Sequence, residues 1–292
     1  MSIVLQSPTQ QLRSKNRTFF LKQPLLVGIV NVTPNSFSDG GRFHSLEQVL
    51  VHVRQMIQDG ADWIEIGGES TGPGSESVEL EIELQRVIPV IAAIRQESDV
   101  WISVDTYKAE VAYQAIEAGA DVVNDVTALR GDASMVHVLA KAQVPVIIMY
   151  AKDTDARTTT KPVHYEDVIQ IIQEFFKERL AFMKAQGIAL ENIILDPGMG
   201  FFVSGAARYS FEIIQRLPEL TQWGYPVMIS TSRKSFLANV SPGKTLDVHE
   251  REIPTAVTSA IATWQGASLL RLHNVSQGRL VLDTVKELQK LS

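Results

Sequence analysis

The sequence predicts a single-domain α/β protein, a (β/α)8 TIM barrel. Three observations predict it. Eight short apolar runs of strand length recur along the chain, longer stretches with helical spacing separate them, and polar residues gather where nearly every run ends. An open doubly wound sheet would also alternate strands and helices, but the count of eight and the repeated polar ending favour a closed barrel. The 292 residues suit a fold of roughly 250 residues, and no linker rich in Pro, Gly or Ser divides them.

Residues 1–24 precede the first run and are expected to cap the barrel bottom, with 25–292 forming the (β/α)8 domain. The runs are LLVGIVNV (25–32), DWIEIGGE (62–69), VWISVDT (100–106), DVVNDVT (121–127), VPVIIMY (144–150), NIILDPG (192–198), PVMISTS (226–232) and SLLRLHNV (268–275). Their Val, Ile and Leu content fits strands buried on both faces. Between them, Val168, Ile171, Ile172, Phe175, Phe176, Leu180 and Met183 recur at three- and four-residue steps, with Gly187 as the stop. The stretch 78–98 does the same through Ile82, Val87, Ile91 and Ile94, and its Pro89 predicts a kink or break. Gly60 and Gly119 stand where left-handed caps end helices.

Composition narrows the function. With 27 Lys+Arg against 33 Asp+Glu, the net charge of −6 argues against non-specific binding to nucleic acid or to an anionic membrane. The absence of cysteine excludes disulfides, thiolate metal sites and cysteine nucleophiles. No apolar run has membrane-spanning length and the N-terminus does not read as a secretory signal, so a cytoplasmic location is expected.

A barrel builds its site from the C-terminal strand ends and the loops that follow. Those ends carry Asn31, Glu69, Asp105, Asn124 with Asp125, Asp196, Arg233 with Lys234, and Arg271 with His273. A single acid at a strand end can be a helix cap. Acids, amides and bases at seven ends imply a polar pocket for a ligand rich in hydrogen-bonding groups. The loops 31–43 and 67–75, after the first and second strands, are long and rich in Gly and Pro, as lids and binding loops are. The polar stretch 150–162 reads equally as a further loop or as a solvated, disordered connection. The Gly243-Lys244-Thr245 triplet is not a phosphate loop, because Ala238 stands where the first glycine belongs.

Seven motifs in order, GIVNVTPNSFSDGG, GGESTGPG, SVDTYKAEVA, NDV, LDPGMGF, STSRKSFL and RLHNV, make the chain resemble the dihydropteroate synthases from about residue 25 to 275. The resemblance implies a barrel enzyme, a homodimer, that joins 6-hydroxymethyl-7,8-dihydropterin diphosphate to p-aminobenzoate and releases diphosphate with Mg²⁺ assisting. It implies pterin contacts from Asp105, Asn124, Met149, Asp196 and Lys234, and p-aminobenzoate contacts from Thr71, Pro73, Phe201, Lys234 and Ser235. It implies diphosphate contacts from Asn31, Arg271 and His273, with Asn31 also touching the metal. Asp105, Lys234, Arg271 and His273 would carry the catalysis. An ion pair of Asp105 or Asp196 with Lys234 or Arg233 is the structural alternative.

The chain departs from the family pattern in four places. Asn35 stands for the usual Asp, Gly72 for the usual Arg, Phe202-Val203 for the usual Gly-Lys, and Tyr150 for the usual His. GMGFF followed by Ser204 is more like the sulfonamide-insensitive branch, where Phe202 would reshape the p-aminobenzoate pocket; Phe202 reads equally as a core residue. Two rivals stand beside the synthase: a pterin-binding methyltransferase, which would have no use for Ser232-Arg233-Lys234-Ser235, and a relative that binds pterin with little turnover.

Overall fold

The computed structural model describes residues 11–15, 17–33 and 46–291. The barrel strands are β3 (Leu25–Asn31), β4 (Trp63–Gly67), β5 (Trp101–Asp105), β6 (Val122–Asp125), β7 (Val146–Met149), β8 (Ile193–Asp196), β9 (Met228–Ile229) and β10 (Leu269–Leu272). Before them, β1 (Gln11–Ser14) and β2 (Arg17–Phe20) pair antiparallel. The helices are α1 (Leu46–Gln58), α2 (Leu80–Glu97), α3 (Ala109–Ala118), α4 (Met135–Ala142), α5 (Val168–Ala185), α6 (Arg208–Gln215), α7 (Pro218–Thr221), α8 (Glu252–Trp264) and α9 (Val275–Gln289).

Eight parallel strands run in the order β8-β7-β6-β5-β4-β3-β10-β9. The ring closes between β8 and β9 through a bridge from Leu195 to Val227, where the Leu195 N–H donates to the Pro226 carbonyl at 2.9 Å. The fold is the TIM barrel that the strand count predicts. Each of the eight apolar runs contains one barrel strand, although β9 keeps only two residues of the seven in its run.

Side-chain alternation along each strand explains the interior. The first inward residues, Leu25, Val27, Trp63, Trp101, Val122, Ile147, Ile194, Met228 and Leu269, form one apolar cluster with Leu12 of β1. Phe19 and Leu21 pack on the same cluster. Trp63 stacks on Trp101 at 5.6 Å and Phe19 meets both edge-on, at 5.9 and 5.2 Å. Such aromatic pairs contribute about 0.5–1.5 kcal/mol beyond the area they bury. The hairpin thus lies across the N-terminal mouth, and the polar strand ends are left at the other.

Two local expectations need correction. Pro89 does not break α2, which runs without interruption from Leu80 to Glu97. Proline removes the hydrogen bond to the carbonyl of Gln85, but Gln85 and Pro89 are both on the exposed face, where water can satisfy that carbonyl. Ile82 and Ile171, counted among the inward residues, are 44% and 39% exposed, so the apolar stripes of α2 and α5 are narrower than their spacing suggests. Gly60 and Gly119 do take left-handed conformations, at φ 97° and 117°. No helix among the described residues is long and apolar enough to cross a membrane.

Candidate active site

A cavity of about 860 Å³ opens at the C-terminal ends of the strands. Asn31, Thr71, Pro73, Asp105, Asn124, Met149, Asp196, Lys234, Arg271 and His273 all line it. These residues come from six of the eight strands, the loop after β4 and the turns after β9 and β10. Residues as far apart in sequence as Asn31 and His273 therefore meet around one space, as the strand-end pattern predicts. Phe201 and Ser235 do not line it. They flank Gly200, where a β-carbon would lie 3.7 Å from both Lys234 Cδ and Ser235 Oγ. Ser235 opens a three-residue 3-10 turn, Ser235–Leu237, rather than an α-helix. Phe202, not Phe201, reaches the wall, and its ring lies 5.0 Å from Lys234 Nζ. Asn35 falls outside the described residues.

The network at the base of the cavity centres on a residue that the strand-end reading missed. Glu65 sits in mid-strand on β4, two residues inward of Gly67, and is 1% exposed. Its carboxylate accepts from Arg271 Nε, from Asn124 Nδ2 at 2.9 Å and from Ser103 Oγ at 3.4 Å. Arg271 Nη2 also donates to Asp105 at 2.9 Å, so one guanidinium joins two carboxylates. The signal for Glu65 was present in WIEIG, where an acid shares the inward face with Trp63.

Burial sets the charges. It pushes Asp105 up to about 7; the nearby Glu65 carboxylate adds to the push and Arg271 opposes it. Burial raises Asp196 to about 6 against the pull of Lys234, and lowers Lys234 to about 8 against the pull of Asp196. Lys234 makes no direct ion pair with either acid among the described residues; Asp105 is paired with Arg271 instead, and Asp196 accepts from the Gly198 backbone. The structural alternative fails in detail: Arg233 pairs with Glu252 instead.

His273 is lowered to about 3 by burial and then by the cations Arg271, Arg233 and Lys234, so it is neutral. Its Nδ1 lies 2.8 Å from Ser232 Oγ, which also accepts the His273 backbone N–H at 3.1 Å. With the ring hydrogen on Nε2, Ser232 Oγ donates to Nδ1 while accepting from the backbone.

The backbone is built closely around Asp196. Gly198 N donates to Asp196 Oδ1 at 2.8 Å. Gly198 adopts φ 70°, and a β-carbon there would stand 2.4 Å from the Tyr150 carbonyl oxygen. Only glycine fits.

Loops close the sides. Glu69 is engaged by Lys108 at 2.7 Å, by Tyr107 Oη at 3.0 Å and by Arg157. Thr158 N donates to Thr71 O at 3.2 Å, and Thr158 Oγ1 to Phe201 O at 2.8 Å. The 150–162 segment is therefore an ordered strut between the loop after β4 and the turn after β8, not a solvated connection.

Residues 27–273 match the family described as pterin binding enzymes. A dihydropteroate synthase of Synechocystis is 41% identical over 254 residues, 87% of this chain and 86% of that one. The chain belongs to the dihydropteroate synthase family. Dihydropteroate synthase structures from two organisms share its fold. That of Yersinia pestis, with a sulfonamide drug complex, has a TM-score of 0.88 and 35% identity over 96% of this chain and 99% of the other. That of Xanthomonas albilineans, with 4-aminobenzoic acid, has a TM-score of 0.87 and 35% identity over 97% and 99%. Membership makes the chain a transferase of folate biosynthesis, and dihydropteroate synthases as a family condense a pterin diphosphate with p-aminobenzoate.

Proposed function

We propose that this cavity condenses 6-hydroxymethyl-7,8-dihydropterin diphosphate with p-aminobenzoate, giving 7,8-dihydropteroate and diphosphate. The observation that carries the reading is the meeting of Asp105, Asn124, Asp196 and Lys234 around one cavity. The acids and the amide oxygen can accept from the N–H edge of a pterin, and Lys234 can donate to its ring acceptors. A ligand that left such groups unpaired would lose about 1–3 kcal/mol for each. Met149 and Val126 supply the apolar floor for a flat ring.

The diphosphate lies toward Asn31 and His273. Neutral His273 gives an Nε2–H donor to the leaving oxygens, and Arg271 keeps Nη1 for the same purpose. Among the described residues no group of three or more His, Asp or Glu side chains could hold a metal ion. The amide oxygen of Asn31, a hard donor on the cavity wall, suits one ligand position of Mg²⁺, the others falling to diphosphate and water. Bound there, Mg²⁺ would supply charge stabilisation for the departing diphosphate.

As the C–O bond breaks, positive character develops on the pterin methylene. The carboxylates of Asp105 and Asp196 favour it in a site where burial strengthens their field. p-Aminobenzoate, the ligand that the Xanthomonas albilineans neighbour contains, takes the loop end of this cavity against Thr71 and Pro73, with Phe201 and Ser235 flanking Gly200 beside Lys234. Its neutral amine attacks the methylene. No protein nucleophile takes part, so positioning and electrostatics carry the rate. Diphosphate should appear only when both substrates are present. Diphosphate without p-aminobenzoate, or none with both substrates, overturns the reading.

We further propose a homodimer assembled through α8. Its inward face is Thr255, Thr258, Ser259, Ala262 and Thr263, while Ile253, Val257, Ile261 and Trp264 are 74%, 53%, 45% and 50% exposed. That inverted pattern suits burial against a second copy.

A further inference from the structure

We infer that Glu65 is a positioning residue that fixes which end of the Asn124 amide faces the cavity, and so selects ligands whose ring edge donates a hydrogen there. The inference rests on the pterin reading of the cavity.

Glu65 lies one inward layer below the site, at the level of Ser103. Three donors converge on its carboxylate: Arg271 Nε, Asn124 Nδ2 at 2.9 Å and Ser103 Oγ at 3.4 Å. A carboxylate held by a guanidinium can only accept. It therefore takes the NH₂ end of Asn124. The reversed amide would set two acceptor oxygens at hydrogen-bond distance, and nothing would hold them there. The orientation is imposed by chemistry from below. Its consequence is visible above: Asn124 Oδ1 is buried and has no hydrogen-bond partner, while Asn124 lines the cavity. That oxygen awaits an N–H. The exocyclic amine of a pterin supplies one. A pteridine-2,4-dione has a carbonyl in place of the amine and an N1–H in place of the N1 acceptor, so an acceptor stands where the amine would have met Asn124 Oδ1.

Glu65 touches no substrate in this arrangement. It acts through Asn124, and through Arg271, whose guanidinium it shares with Asp105. Glu65→Gln keeps the size but not the polarity, because a glutamine amide can either donate or accept. Asn124 is then able to turn over. Glu65→Asp keeps the charge and the acceptor-only character on a shorter side chain.

The test is a ratio of affinities, measured by calorimetry for 6-hydroxymethylpterin and 6-hydroxymethyllumazine. The parent enzyme should prefer the pterin by about 10- to 100-fold, the effect of one unmatched buried hydrogen bond. Glu65→Gln should cut that preference by about 10-fold, and Glu65→Asp should keep it within about 3-fold even if both ligands bind more weakly. A Glu65→Gln enzyme that weakens both ligands equally and keeps the ratio overturns the inference, because a merely structural role predicts that result. Parent enzyme that binds neither ligand overturns the pterin reading itself. Should Glu65→Gln fail to fold, the side-chain amide of Asn124 decides the matter in the parent enzyme. Its hydrogens should stay protected from exchange with and without 6-hydroxymethylpterin. Exchange as fast as for an exposed amide in the free enzyme, or a new ligand contact to that NH₂ group, overturns the inference.

Discussion

Asp105 shows what a single residue contributes and what it costs. Folding lifts its carboxyl to about 7 from an ordinary 3.8, first through burial and then through Glu65. Below about pH 4 folded and unfolded chains both hold the proton, and no stability is lost. As pH rises toward 7 the unfolded chain ionises first, so stability falls across that window and is lowest above it. Asp196, lifted to about 6 by burial, acts in the same direction. Asp105→Asn should therefore melt a few degrees higher than the parent at pH 8, with the gap shrinking toward pH 5, while turnover drops by about 100-fold or more. Equal melting temperatures at pH 8 would show that the Arg271 contact outweighs the burial. Phe202 makes a second case. It lines the cavity with its ring over Lys234, so Phe202→Gly should tighten sulfonamide inhibition by about 10-fold, and low-micromolar inhibition of the parent enzyme would remove the basis for that expectation. Asp105 and Asp196 could be read from sequence because they end strands, and Lys234 because it follows one within a few residues. Glu65 is legible only as an acid on the inward face of WIEIG; its role is not, because it acts on Asn124 and Arg271, which lie far away in sequence.

At the scale of elements, periodicity located every barrel strand but could not rank the loops. The 150–162 segment has the composition of a solvated tail, yet its few specific contacts order it: Arg157 with Glu69, Thr158 with Thr71 and Phe201, and Lys152 N with the Phe202 carbonyl at 2.8 Å. Those partners lie far away in sequence, so no local pattern announces them. The same limit applies to Pro89, whose tolerance depends on the exposure of Gln85 and hence on packing. Arg157 is the sharpest test of the strut. Arg157→Ala should release the loop after β4, raise the KM for p-aminobenzoate by about 5- to 10-fold and leave the KM for the pterin diphosphate nearly unchanged. Limited proteolysis should then cut within 150–162 before any barrel strand. Unchanged kinetics and unchanged cleavage would reduce the ion pair to decoration.

The whole molecule sorts its interior by height, with an aromatic and aliphatic layer at the hairpin end and charged groups at the other. Sequence alternation gives that gradient directly, since the first or second residue of each strand is an apolar inward one. The proposed assembly is harder to read, because its motive is an exposure that only the folded chain reveals. In α8 the outer face is the apolar one: Ile253, Val257, Ile261 and Trp264 follow each other at steps of four, four and three. Leu280 of α9, on the helix that packs against α8, is 69% exposed. A monomer would leave this stripe in water, and each large side chain returned to an apolar contact is worth about 1.5–3 kcal/mol. A charge placed there should therefore separate the copies without disturbing either core, because Ile253 and Val257 contribute little to their own barrel. Val257→Asp should sediment as a monomer at micromolar concentration while keeping the parent's circular dichroism. The cavity lies within one barrel, so the separated copies should still release diphosphate. A parent enzyme that is itself monomeric at that concentration, or a Val257→Asp variant that stays dimeric, would place the interface elsewhere or remove it.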